Sequence, residues 1–153
     1  VQFRTDYMGF VLPFHQQQHF SFHFKERNMN QDAFNKGLKT RREVLGAEYV
    51  DTAIKNADDF NMPMQELVTE YCWNEIWNRP GLDRRTRSII NLAMITALNR
   101  PHELKLHVRG AINNGLTKSD IQEVFLQTAI YCGVPAAIDS FRGAKEVFKD
   151  MGI

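Results

Sequence analysis

The sequence has no apolar run long enough to cross a membrane, and it has only two cysteines, Cys72 and Cys132. A membrane-spanning helix needs about 18 or more consecutive apolar residues, so no membrane partner is predicted. Neither cysteine belongs to a CxxC motif or has the spacing of metal ligands. We therefore expect both to be buried, reduced thiols, which favours a cytoplasmic protein.

An excess of charge of one sign is also lacking, because 19 Lys and Arg oppose 18 Asp and Glu, for a net charge of +1. Nucleic-acid binders usually need a broad basic surface, so the balance argues against that class. There is no Gly-rich phosphate loop and no convincing set of metal ligands, which predicts a protein without cofactor or metal. The 153 residues, 43% of them hydrophobic, suffice for one domain.

Residues 1–28 differ from the rest in being rich in phenylalanine and having no sustained helical period. They lack the features of a secretory signal, and we expect an appendage that precedes a domain of residues 30–153. The alternatives are an aromatic arm that packs on a neighbouring subunit and a domain that begins at Met29. Three histidines at i, i+4 and i+8 have the spacing of metal ligands on a helix, but packing is the stronger interpretation. These are His15, His19 and His23.

From Gln31 onward, apolar residues recur at helical spacing and no period-two strand pattern is found. The sequence predicts an all-α, single-domain bundle of about seven helices. Predicted helix starts are Asp32, Glu48, Pro63, Asp83, Pro101, Thr117 with Asp120, and Pro135, and predicted stops include Gly46, Phe60 and Asn114-Gly115.

Two of these helices have distinctive apolar patterns. The third carries an amphipathic face predicted to be buried, consisting of Met64, Leu67, Val68, Tyr71 and Cys72. The fourth is apolar all round between Ile89 and Leu98, which is typical of a helix in the middle of a bundle or under a subunit interface.

Cationic charge is concentrated in one segment. Between Arg79 and Arg109 seven Lys or Arg residues oppose two acids, although the whole chain is nearly neutral. Arg84, Arg85 and Arg87 follow the predicted start of the fourth helix, where an arginine gains nothing from the helix dipole. Either they pair with acids elsewhere, or at least one binds a ligand carboxylate.

Glu103 and His107 are four residues apart on the predicted fifth helix and share a face. Glu103 there would orient the imidazole and raise its pKa, making His107 a proton donor near neutral pH. The alternative is a surface ion pair without a catalytic role. Trp73 and Trp77 are one turn apart and belong either to the core or to the wall of a substrate site.

The central segment closely resembles the carboxymuconolactone decarboxylase family. Resemblance covers about Asn30 to Ile153 and implies an oligomer, a trimer or hexamer, with the AhpD-like helical fold. A related branch reduces peroxides with a CxxC motif, but those two positions are Arg100 and Glu103 here. The matching residues are Trp73, Glu75-Ile76-Trp77, Arg79-Pro80-Gly81-Leu82, Arg84 to Ser88, Ala97-Leu98, Glu103-Leu104, His107, Asn113-Asn114-Gly115, Thr117 and Tyr131 to Ala136.

The resemblance implies a carboxy-lyase that converts 4-carboxymuconolactone to the β-ketoadipate enol-lactone and CO2 in aromatic-acid catabolism. The substrate's conjugated lactone carbonyl would accept the electrons, so no metal or cofactor is required. The expected roles are His107 as proton donor or oxyanion partner, Glu103 as its orienter and Glu75 as a second polar group. Carboxylate clamps are expected at Arg87 and at Arg84 or Arg100, and an apolar wall at Trp73 and Leu104.

Two other interpretations stay open at this stage. One is a decarboxylase or lactone-processing enzyme for a related small acid, which would retain the arginines and change the wall. The other is a non-catalytic oligomer that binds carboxylates, in which Glu103 and His107 are structural. Thiol peroxidase activity is disfavoured because the paired cysteines are missing.

Overall fold

A computed structural model describes residues 29–153, and this part of the chain is helical with no strand. The predictions for residues 1–28, including the three histidines, lie outside the described residues. The all-α prediction is confirmed. The helices are α1 (Gln31–Leu45), α2 (Ala47–Lys55), α3 (Met62–Leu67) with a π-helix (Val68–Ile76) directly after it, α4 (Arg84–Ala97), α5 (Pro101–Asn113), α6 (Lys118–Cys132) and α7 (Val134–Asp150).

Two of the predicted helix starts are confirmed by their caps. The Asp83 carboxylate accepts from the Thr86 N–H at 2.7 Å and starts α4. Thr117 and Asp120 form the predicted capping box of α6, and these bonds, with Arg85, hold the pKa of the Asp120 carboxyl at about 2. At α1 the prediction of Asp32 is wrong, because Asn30 is the cap and accepts from the Ala33 N–H.

The second and third helices differ most from the prediction. The second ends at Lys55 and not at Phe60. The third changes to π-helical winding, in which the Trp77 N–H donates to the carbonyl of Cys72, five residues earlier. A wider turn moves the buried side of the helix, so that Thr69 and Trp73 are buried. Four of the five side chains predicted to be buried are therefore not in the core, and Met64 and Tyr71 are more than half exposed, at 57% and 56%.

Two hydrophobic clusters form the core. One lies among α4, α5, α6 and α7 and the other among α1, α2 and the π-helix, and α5 packs against α1 between them. The first consists of Leu92, Leu104, Val108, Ala111, Leu116, Ile121, Phe125, Ala144 and Val147, and the second of Val44, Leu45, Val50, Trp73 and Trp77.

The π-helix lies very close to α1. A Cβ atom at Gly37 would overlap the carbonyl oxygen of Thr69, so only glycine permits this approach. Beside it, the buried Arg41 donates from Nη1 to the side-chain oxygens of Gln65 and Thr69, at 2.9 and 3.0 Å. This packing fixes the position of the π-helix and of the tryptophans at its end.

The fourth helix is not buried all round within one chain. It buries Ser88, Leu92 and Thr96 and exposes the opposite side. The exposed apolar side chains of α4 and α6 form what we call the α4–α6 face, which contains a shallow cavity of about 340 Å³. Its residues are Ile90, Met94, Leu98, Leu126, Ile130 and Tyr131. Among the described residues, no helix is both long and apolar enough to cross a bilayer.

Candidate active site

A cavity of about 230 Å³ lies where the end of the π-helix and the segment after it meet α4. Arg87, whose side chain only donates hydrogen bonds, is the single charged residue in its lining, and Asn91 is the lining residue whose side chain can both donate and accept them. The remaining walls are apolar or aromatic. The lining residues are Ile76, Trp77, Leu82, Arg87, Ile90, Asn91 and Met94.

Arg87 has hydrogen-bonding capacity that the protein leaves unused. Its Nη2 donates to the carbonyl oxygen of Arg79 at 3.1 Å, whereas its Nε is buried without a partner. No carboxylate pairs with it among the described residues. A buried donor of a charged group is costly to leave unsatisfied, and a guanidinium is the best donor for a two-point bond to a carboxylate. The cavity therefore offers one cation to a small anion.

The neighbouring arginines are engaged elsewhere. Arg84 pairs with Glu43 at 2.8 Å and Arg85 pairs with Asp120 at 2.6 Å. Arg100, at the start of α5, is exposed and has no ion-pair partner in the described part of the chain. Pairing with acids therefore holds for Arg84 and Arg85, ligand binding by an arginine stays a prediction, and neither Arg84 nor Arg100 lines the cavity.

The start of α4 explains why Arg87 points into the cavity. Asp83 caps the helix, and the Arg87 N–H donates to the Asp83 carbonyl at 3.1 Å, which sets the helical register. Residues four and seven positions after Arg87 lie on the same helix face, and these are Asn91 and Met94. Sequence reasoning did not single out Asn91. A polar residue inside the apolar run of α4, one turn from an arginine, is the signal that identifies it.

Of the two tryptophans, Trp77 lines the cavity. Trp73 stacks on it with ring centroids 4.8 Å apart, and each is only 5% exposed. Trp73, which we expected to form part of the substrate wall, does not line the cavity and only stacks on Trp77, which does. Leu104, the other expected wall residue, is 2% exposed in the core beside Leu92 and Val108.

His107 is partly buried on α5 and does not line this cavity. Burial lowers the pKa of its imidazole, and the opposing influence of Glu103 is the smaller one. No hydrogen bond joins the two side chains, and Glu103 is exposed. The expected rise in pKa is therefore wrong, because desolvation outweighs an exposed carboxylate that solvent screens. At neutral pH the imidazole is neutral and donates from one ring nitrogen.

The remaining polar and thiol candidates lie outside the cavity. Glu75 is exposed and accepts from the Asn74 side-chain amide at 2.7 Å. Burial raises the pKa of the Cys72 thiol, which is partly buried. Cys132 is exposed, so the expectation that both thiols are buried is wrong for it. Within residues 29–153 no three His, Cys, Asp or Glu side chains are grouped as metal ligands.

Comparison with known proteins supports the resemblance. The family model of the carboxymuconolactone decarboxylase family matches residues 63–146. The 4-carboxymuconolactone decarboxylase of Acinetobacter baylyi is 41% identical over 124 residues, covering 81% of this chain and 92% of that protein. The nitrosuccinic acid decarboxylase of Metarhizium robertsii is 47% identical over 118 residues, covering 77% and 82%. Both names support a carboxy-lyase, and this chain belongs to the carboxymuconolactone decarboxylase family.

Proposed function

We propose that the protein decarboxylates a small polycarboxylic acid in the Arg87 cavity, and that 4-carboxymuconolactone is its substrate. The observation that carries the proposal is the guanidinium of Arg87, whose Nε is buried without a partner and which pairs with no carboxylate among the described residues, in an otherwise uncharged cavity. One fixed cation suits a substrate that retains one carboxylate while losing another. The identity with the Acinetobacter decarboxylase supports this choice of lactone.

The reaction needs little from the protein beyond binding and charge stabilisation. When the C–C bond to the departing carboxylate breaks, CO2 leaves and the electron pair moves through the conjugated C=C into the lactone carbonyl. A proton is then added at carbon to give the enol-lactone. Because the substrate accepts its own electrons, we propose a reaction without a metal or organic cofactor.

Arg87 would bind the carboxylate that is retained, in a two-point hydrogen bond. The departing carboxylate would then face the apolar wall of Leu82, Ile90 and Met94, where a charged group is poorly solvated and neutral CO2 is favoured. This division of the cavity into a cationic and an apolar part is what promotes loss of CO2 from one end of the substrate.

His107 remains our candidate for proton transfer, since α5 packs directly against α4. As a neutral imidazole it donates an N–H hydrogen bond to the oxyanion, whereas the proton that the carbon gains comes from solvent, through the imidazolium form of His107. Glu103 as its orienter, Glu75 as a second polar group and Arg84 or Arg100 as a second clamp stay predictions. In their described positions none of these side chains lines the cavity.

A second candidate substrate is nitrosuccinic acid, which the 47% identity with the Metarhizium enzyme favours. Its decarboxylation follows the same scheme, since the nitro group receives the electron pair as a nitronate and one carboxylate is retained. The two substrates therefore make the same demands on Arg87. They differ in whether the accepting group is on a ring or on an open chain.

The test is to supply purified full-length protein with each substrate separately and to follow CO2 and product without added metal or cofactor. 4-Carboxymuconolactone has to be generated in place by a coupled enzyme. Turnover of the lactone that falls sharply in Arg87→Gln supports the proposal. Turnover of nitrosuccinate alone would replace the substrate, and a folded protein that turns over neither would contradict the decarboxylase proposal.

We also propose that the protein is a homo-oligomer, a trimer or hexamer, whose subunits meet through the α4–α6 face. Within one chain Leu98 is 70% exposed, Tyr131 79% and Ile130 81%. A continuous apolar patch of this kind is unusual on a monomer and is typical of a protein interface. Met94 borders both this face and the Arg87 cavity, so association would also shield the apolar wall of the site.

A further inference from the structure

The Arg87 cavity contains a second polar side chain, that of Asn91, whose presence is explained neither by the fold nor by the carboxylate binding proposed for Arg87. Asn91 lies one turn after Arg87 on α4, and both line the same cavity. In the described part of the chain its amide has no hydrogen-bond partner, although the apolar residues Ile90 and Met94 flank it. Such an amide forms no hydrogen bond that stabilises the fold, so its donors are available to solvent or to a ligand.

The spacing of the two residues limits what a ligand can do. Side chains four residues apart on a helix have Cβ atoms roughly 5–6 Å from each other. A small diacid or nitro acid has a similar span between its terminal groups. One molecule can therefore contact Arg87 with a carboxylate and Asn91 with the group at its other end.

We propose that Asn91 is the residue that stabilises the negative charge formed during decarboxylation, by donating from Nδ2 to the substrate's electron-accepting oxygen. This inference rests on the proposed function. Arg87 holds the retained carboxylate, and as the C–C bond breaks the electron pair passes to the lactone or nitro oxygen at Asn91. CO2 leaves, and the carbon is then protonated.

This assignment also names the substrate class. The cavity takes a small acid with one retained carboxylate and, about one helical turn away, a neutral group that becomes an oxyanion. A neutral amide binds such a group more strongly as its charge grows, which lowers the barrier and not just the energy of the bound substrate. A saturated monocarboxylic acid without an accepting group would bind through Arg87 and gain little from Asn91.

Two anions separate the roles of the two residues without any need for turnover. Butyrate has one carboxylate and no accepting group. Propionate 3-nitronate, formed when 3-nitropropanoate loses its C3 proton, has one carboxylate and a preformed nitronate oxyanion. Binding of each is measured by calorimetry above the pKa of the nitro compound, with wild type, Asn91→Leu, Asn91→Ala and Arg87→Gln. Asn35→Ala, at an exposed position of α1, is the control.

We expect Asn91→Leu and Asn91→Ala to weaken nitronate binding about tenfold or more, because a hydrogen bond to a charged group is lost. Butyrate binding should change less than about threefold, whereas Arg87→Gln should weaken binding of both anions. With an active substrate, both Asn91 variants should lower kcat by about 10²-fold and leave KM nearly unchanged. The alanine variant answers the question if the leucine variant folds poorly.

Equal binding of nitronate by wild type and both Asn91 variants would overturn the assignment of Asn91. Equal weakening of butyrate and nitronate binding would also overturn it, since the effect would then not depend on the accepting group. If the wild type bound neither anion, both this inference and the proposed function would be wrong. If both anions bound as expected but neither acid were decarboxylated, the proposed reaction would be contradicted and the assignment of Asn91 as a binding residue would not.

Discussion

At the scale of single residues, what distinguishes the arginines at the start of α4 is their partners. Arg84 and Arg85 are neutralised by Glu43 and Asp120, whereas Arg87 retains a buried Nε without a partner. An ion pair at the surface contributes little and is screened by salt. The unpaired guanidinium in a cavity is the one with capacity left for a ligand.

For Arg87 we expect a specific kinetic result. Arg87→Gln should lower kcat/KM roughly 10- to 100-fold, since a hydrogen bond to a charged group contributes about 1.5–3 kcal/mol. The measurement is steady-state kinetics on the decarboxylated acid. Arg142→Gln is a suitable control, because Arg142 makes only a surface pair with Asp139. A decrease below about threefold would mean that Arg87 does not bind the substrate.

His107 gives a second prediction about catalysis. His107→Ala should lower kcat by about 10²-fold if its N–H takes part in proton transfer or oxyanion binding. His102→Ala is the matched control, since His102 is an exposed histidine on the same helix. Both variants are compared with wild type under saturating substrate. If kcat fell less than about threefold in His107→Ala, the residue would have no part in the mechanism.

The lowered pKa of His107 also predicts how stability depends on pH. Because burial lowers the pKa below its usual 6.5, the unfolded chain binds this proton more readily than the folded protein. The free energy of unfolding should therefore decrease as the pH falls below 6.5 towards the folded-state pKa. Urea unfolding at pH 7.5 and 5.5 should show a larger loss for wild type than for His107→Gln. Equal losses would mean that His107 titrates as it does in the unfolded chain.

At the scale of helices, the contact between α1 and the π-helix depends on Gly37. Gly37→Ala should destabilise the protein by about 2 kcal/mol or more, although alanine favours a helix by about 1 kcal/mol, because the methyl group would overlap the Thr69 carbonyl. Chemical denaturation measures the change. Gly143→Ala in α7 is the control, since its Cβ would make only ordinary contacts, the nearest to a Lys105 side-chain carbon at 3.6 Å. Similar effects in the two variants would show that the close approach to Thr69 is not what makes Gly37 necessary.

The helices also differ in how far their sequences predict them. The caps at Asp83 and Thr117 are local interactions, so they are recognisable from residue type and spacing and are confirmed. The π-helix is different, because it packs on α1 through contacts between residues distant in the sequence, such as the hydrogen bond from Arg41 to Thr69, and spacing within the helix does not reveal them. Helical spacing of 3.6 residues therefore gave the wrong buried face for Met64 and Tyr71.

At the scale of the whole molecule, the α4–α6 face is the surface on which association is proposed. Ile130→Glu should shift the protein towards a monomer, because a charge would be buried at the contact. The monomer should stay folded, since Ile130 is 81% exposed within one chain. Sedimentation velocity measures the shift, with Lys149→Glu at an exposed position of α7 as the control. A wild-type protein that sediments as a monomer would contradict the proposed oligomer.

The sequence by itself determined the helical fold class, most helix starts and the family, because periodicity, caps and motif spacing are local properties of the chain. It also located the cationic segment that contains Arg87. Tertiary structure decided which of the three arginines at the start of α4 is left without an acidic partner. It also decided that Asn91 and Trp77 line the cavity of that arginine and that burial lowers the pKa of His107. These properties depend on the neighbours that packing brings together from separate helices and on the solvent that it removes, and neither can be read from spacing along one helix.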